Sequence, residues 1–172
     1  MRRGKQPRLR AGRALIAAAF FVTGPLGADP GGDLACAHFS PNPDDRSGPP
    51  IRFSAELSDH GQRAQTDSPG VGRGEFILER DTLNFSWRVS FENLTSQAIS
   101  LRIHGPVPAE GEAPPLFDAA PEGFKSPVEG QRTLSLGEVA HLVQNLLYVN
   151  LATTKYPVGE IRGRIRKLRP EC

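Results

Sequence analysis

The chain offers few residues capable of acid–base, nucleophilic or metal chemistry, and their spacing sets the first limits on function. Its 172 residues include 4 histidines and 2 cysteines. His38, His60 and His141 fall on a Pro-rich stretch, a polar turn and an expected helix, with no metal-ligand spacing among them. Neither Cys36 nor Cys172 belongs to a Cys-x-x-Cys pair. There is no Gly-x-Ser-x-Gly elbow and no His-Glu-x-x-His helix. Gly70-Val71-Gly72-Arg73-Gly74 lacks the Lys-Ser/Thr ending of a phosphate loop. The acids sit mostly at turns or on alternating polar faces, where solvation accounts for them better than paired-carboxylate chemistry. No catalytic residue set, metal or cofactor is expected.

What remains is a polar constellation late in the chain. Successive strand side chains alternate, so Arg102 and His104 share one outward face, as do Tyr148, Asn150 and Ala152. Glu160 and Arg162 point the same way on the last strand, with Ile161 opposite them in the core. They have two readings. One is an ion pair, or a bond from Arg162 to backbone carbonyls at the turn. The other is ligand contact, together with His104 and Asn150. The candidate ligand-binding residues are therefore Arg102, His104, Tyr148, Asn150, Glu160 and Arg162. Arg162, Arg164 and Arg166 also form a basic stripe, which reads as a polyanion patch or as a solvated strand face that discourages edge pairing.

The elements that must carry these residues are mostly strands. Ile51, Phe53, Ala55 and Leu57 alternate with polar residues, and so do Leu83, Phe85, Trp87, Val89 and Phe91. A Gly-rich turn over 70–74 precedes a strand from Gly74 to Arg80. Ile99, Leu101 and Ile103 form the inner face of another. Residues 105–132 hold six Pro and four Gly and read as a long surface excursion suited to function. Ser135 and Glu138 have capping-box spacing, which predicts a short helix over 136–145. Strands follow over Leu146 to Thr153 and Glu160 to Leu168, around a turn at Lys155 to Gly159. The expected fold is all-β, an immunoglobulin-like antiparallel β-sandwich of Greek-key type with one short helix.

Tyr148-Val149-Asn150-Leu151, followed by Tyr156-Pro157-Val158-Gly159-Glu160-Ile161-Arg162-Gly163, resembles the closing signature of the CHRD (chordin-type) domain. Ile103-His104-Gly105-Pro106 is similar to that family's His-Ile-His-Gly-Pro. The opening Phe53-Ser54-Ala55-Glu56-Leu57 and the capped helix also fit. The resemblance spans 51–168 and implies a sandwich distantly similar to copper/zinc superoxide dismutase, with a biochemical role that is poorly defined. Arg102 replaces the first His of the family's His-x-His, and Ala152-Thr153 replaces its His-Thr. A typical member could gather three imidazoles there, enough for a transition metal. This chain keeps only His104, beside an Arg.

The ends read differently from the middle. Residues 1–28 have a basic n-region, an apolar run from Ala14 to Val22 and a small residue, Ala28, at the expected cut. These read as a Sec-type signal peptide, so the protein is expected to be secreted or periplasmic. Residues 29–50 form a Pro/Gly-rich arm and 169–172 a short tail. One Cys near each end of an exported protein suits one disulfide, Cys36 with Cys172, worth roughly 5 kcal/mol in the chain-entropy model. Two free thiols, or lipidation of Cys36, are the alternatives.

The whole chain has 21 Lys+Arg against 19 Asp+Glu. Six of those bases and no acid lie in residues 1–28, which leaves 15 bases, 19 acids and a net charge of −4. That excludes a generally cationic nucleic-acid binder. No apolar run reaches 18 residues, so no transmembrane segment is expected once the signal is removed. The favoured function is a non-enzymatic binding or structural module with a protein or envelope ligand. The alternative is a metal-binding redox protein on a dismutase-like sandwich.

Overall fold

Period-two patterning builds two antiparallel sheets in the computed structural model, which describes residues 46–62, 66–107 and 111–169. In β1 (Ile51–Leu57) the odd positions are buried and the even ones face outward, as the alternation predicts. β2 (Val71–Leu78) and β3 (Asn84–Glu92) extend the same sheet as a meander, with Phe53 opposite Phe76 and Phe76 opposite Trp87. The chain then crosses to a second sheet for β4 (Ala98–His104) and β5 (Pro115–Asp118). It returns for β6 (Val128–Thr133) beside β3, passes through α1 (Leu136–Val143), and lays β7 (Tyr148–Thr153) beside β4. β8 (Ile161–Arg164) flanks β7, and β9 (Arg166–Lys167) pairs with β1. The result is an all-β sandwich, with strand orders β6-β3-β2-β1-β9 and β5-β4-β7-β8.

The core draws on both inner faces. Phe76 and Phe85 stack with centroids 5.6 Å apart, and Phe85, Trp87 and Phe117 continue the aromatic run into the second sheet. The Trp87 ring lies over Gly130, its cross-strand partner, where an added Cβ would fall 2.5 Å from the indole. The indole N–H donates to the Ala119 carbonyl at 2.9 Å, so the one polar atom of this side chain is satisfied. The capping box of α1 forms as expected. Ser135 Oγ accepts from the Glu138 N–H, and the Glu138 carboxylate accepts from the Ser135 N–H. Val139 and Leu142 then enter the core.

Four expectations need correction. Gly72 and Gly74 lie inside β2 rather than in a turn, and a Cβ on Gly74 would press into the Phe76 ring at 2.6 Å. Ile99 is exposed. The ladder with β7 shifts between Ala98 and Ser100, and the extra residue turns Ile99 outward while Ala98, Leu101 and Ile103 go in. The 105–132 stretch is not one excursion, because it contains β5 and the start of β6. The final strand breaks at buried Ile165, so β8 belongs to one sheet and β9 to the other.

Candidate functional site

The break at Ile165 makes the last strand a seam between the sheets. Ser54 of β1 pairs with Arg166, while Ser58, just past β1, bridges to Arg162 through N–H···O bonds of 3.2 and 2.9 Å in the two directions. Gly163 permits this approach, since a Cβ there would fall 2.3 Å from the Glu56 carbonyl oxygen. Gly61, in the 3-10 turn Asp59–Gly61, is pressed against the Arg162 carbonyl in the same way. Between seam and turn lies an open groove of about 650 Å³, its floor formed by Tyr148 and Arg162.

The floor is a three-layer stack. The Arg162 guanidinium sits 3.5 Å from the Tyr148 ring centroid, and the far face of that ring stacks on His104 at 4.9 Å and 15°. Register explains the pairing, because His104 stands directly opposite Tyr148. The loop before β5 closes the stack from outside. Tyr148 Oη accepts from the Ala113 N–H at 3.1 Å, His104 Nδ1 lies 2.9 Å from the Ala113 carbonyl oxygen, and Arg162 donates to the Gly111 carbonyl. Nδ1 therefore carries the proton of a neutral imidazole, and Nε2 is buried without a hydrogen-bond partner. Burial lowers the His104 pKa most. Arg102 and Arg162 push the same way, while the Ala113 bond and Glu112 oppose them. Burial likewise lowers the Arg162 pKa, with Arg164 adding to that and Tyr148 and Glu112 opposing it. The guanidinium remains charged.

The six candidate residues separate. His104, Tyr148 and Arg162 form the stack. Asn150 is spent on structure: its Oδ1 accepts from Gln62 at 2.8 Å and its Nδ2 donates to the Val158 carbonyl at 2.8 Å. Gly159, with φ +153, makes room for that bridge, because a Cβ would fall 2.3 Å from Asn150 Oδ1. Arg102 is exposed opposite Asn150 and Asp118. Glu160 is not on this face at all. It precedes β8 and is completely buried. Its carboxylate accepts from Ser68 Oγ at 2.6 Å, Thr153 Oγ1 at 2.6 Å, and the N–H and hydroxyl of Thr95 at 2.7 and 3.0 Å. Burial, the largest single influence, raises its pKa, yet those bonds together outweigh it and hold the carboxyl below the usual range. Glu160 is thus a staple joining three segments, and Arg162 takes the backbone-carbonyl role rather than an ion pair with it.

Sequence reasoning missed Ser54, Ser58 and the 59–62 turn as groove walls. The parity of β1 turns both half-buried serines outward, but only tertiary pairing with the seam brings them beside Arg162. No group of three or more His, Cys, Asp or Glu side chains converges among the described residues. His104 contacts an aromatic ring and a carbonyl, and the fields of Arg102 and Arg162 act on it against that of Glu112, surroundings that do not fit a transition metal. Cys36, Cys172 and the signal peptide expected over 1–28 lie outside the described residues. No described helix is long and apolar enough to cross a membrane.

No curated protein and no solved structure matches the chain. The CHRD domain family matches residues 53–165, which contain both sheets from Phe53 to the seam at Ile165. With the Tyr148 and Arg162 motif segments forming the floor of the groove, the chain belongs to the CHRD domain family.

Proposed function

We propose that the protein is an exported, non-enzymatic binding module whose ligand occupies the groove over Tyr148 and Arg162. One observation supports this reading: the family's closing motif places Tyr148 and an anchored Arg162 guanidinium along one open groove. Arg162 is only 8% exposed, is held by a ring and a carbonyl, and presents positive charge beside Arg164 and Arg166. Pre-fixed side chains of this kind lose little entropy on binding. The leader supports export, and an oxidising compartment would favour pairing of Cys36 with Cys172. The imidazole and Tyr hydroxyl beneath the groove are enclosed by the loop before β5, where they orient the floor instead of meeting a substrate.

The test is affinity capture from the organism's own envelope fraction, with the wild-type chain and the exposed-residue variant Arg166→Glu compared side by side. The reading expects a saturable ligand retained by wild type and released by the variant. Equal retention by both would remove the groove from the account. Turnover of a substrate by the purified chain, abolished in Tyr148→Phe, would make it an enzyme instead.

A further inference from the structure

The groove's charge has a spacing as well as a sign. Ser54 pairs with Arg166 and Ser58 with Arg162 in one antiparallel alignment, so Glu56 stands opposite Arg164 between them. All six side chains line the groove. Same-face neighbours on a strand are about 6.8 Å apart, which sets the backbone positions Ser54 and Ser58, and the arginines paired with them, about 14 Å apart. Arg162 is anchored by the Gly111 carbonyl and the Tyr148 ring, neither of which neutralises its charge. Among the described residues no ion pair within 4.0 Å reaches Arg162 or Arg166. The middle step differs, because the Arg164 guanidinium is turned to the Val107 and Asn145 carbonyls, 2.9 Å from each, while Glu56 places a carboxylate there. Exposed Glu112, beside the lining residue Gly111, acts on Arg162 through its field and raises the Arg162 pKa.

We propose that the groove binds an extended acidic peptide, with two carboxylates four residues apart meeting Arg162 and Arg166 and an uncharged polar residue at the Glu56–Arg164 step. This rests on the binding-module reading above and names its ligand class. An extended peptide repeats every two residues, as the wall does, so its side chains meet the arginines in register. Carboxylates match the planar guanidinium fork, and the Ser54 and Ser58 hydroxyls can bond to the peptide backbone. A uniformly charged polymer, such as single-stranded nucleic acid or a sulfated glycan, would drive an anion against Glu56. The wall therefore selects a spaced pair of acids over a continuous run.

Fluorescence anisotropy with the full chain at low salt tests this. The probe is a labelled serine peptide carrying two Asp four residues apart, and the comparator carries them three apart, which sends one to the opposite face. The expected result is at least about tenfold tighter binding of the four-apart probe, a difference of one charge-assisted contact. That preference should vanish in Arg166→Glu, whose exposed position leaves the melting temperature unchanged, and fall with added salt. Equal affinity for both spacings would overturn the proposal, as would preferential displacement by a sulfated glycan or an oligonucleotide. If the peptides fail while envelope capture still depends on Arg166, the ligand class is wrong and the binding module stands. If capture is independent of Arg166, the groove itself is wrong.

Discussion

At the residue scale, two side chains from one motif do opposite jobs. Glu160 turns inward and is consumed by four hydrogen bonds, while Arg162 floors the groove. Glu160→Gln replaces an acceptor-only group by one with two donors facing hydroxyls and an N–H. We expect a loss of about 3 kcal/mol in denaturant unfolding. Because the folded pKa lies below the unfolded value, the carboxylate's contribution is present above about pH 4.5 and is lost as pH falls through the folded pKa. The Gln variant should show a flatter acid limb. His104, also lowered, adds acid sensitivity of the same sign near its ordinary value of 6.5. Tyr148→Phe keeps the stack and loses the Ala113 bonds, at about 1 kcal/mol, whereas Tyr148→Ala should cost about 3–5 kcal/mol by emptying the centre of the stack. Parity in the sequence placed His104 and Tyr148 on outward faces that proved adjacent. It misplaced Glu160 because alternation was carried one residue past the start of β8.

At the element scale, the seam is the feature that positions the site. Gly163→Ala sets a methyl against the Glu56 carbonyl, and Gly61→Ala does the same at the Arg162 carbonyl. Each should destabilise by about 1–3 kcal/mol through forced backbone movement, read as a drop in melting temperature. The Gly163 variant should also weaken groove binding, because it displaces the strand that carries Arg162. The strands with one buried face, β1 and β3, were legible because their alternation is unbroken. β5 and β6 were hidden by proline: Pro115 opens an edge strand and Pro127 immediately precedes another, positions where a missing N–H costs no ladder bond. The shift at Ile99 and the switch at Ile165 depend on pairing between distant segments. No local pattern announces them.

At the scale of the whole molecule, charge is segregated along the chain. The six bases of residues 1–28 mask a net of −4 over the remaining residues, and the basic groove is a local exception within that acidic background. An exported chain with its two cysteines joined would show no free thiol by colorimetric titration until reduced, and reduction should lower its melting temperature. Two titratable thiols in the unreduced protein would contradict the proposed pairing. The fold class and family were readable because they rest on repeated alternation and a contiguous motif. The groove was not, because its two walls are separated by about a hundred residues of chain.

The most direct measurement is chemical-shift mapping of the isotope-labelled full chain with the four-apart acidic peptide. Saturable amide shifts confined to Ser54–Ser58, the turn around Gln62 and Arg162–Arg166 are expected. Shifts centred instead on the outer face of β2, β3 and β6, or none at saturating peptide, would contradict binding in the groove.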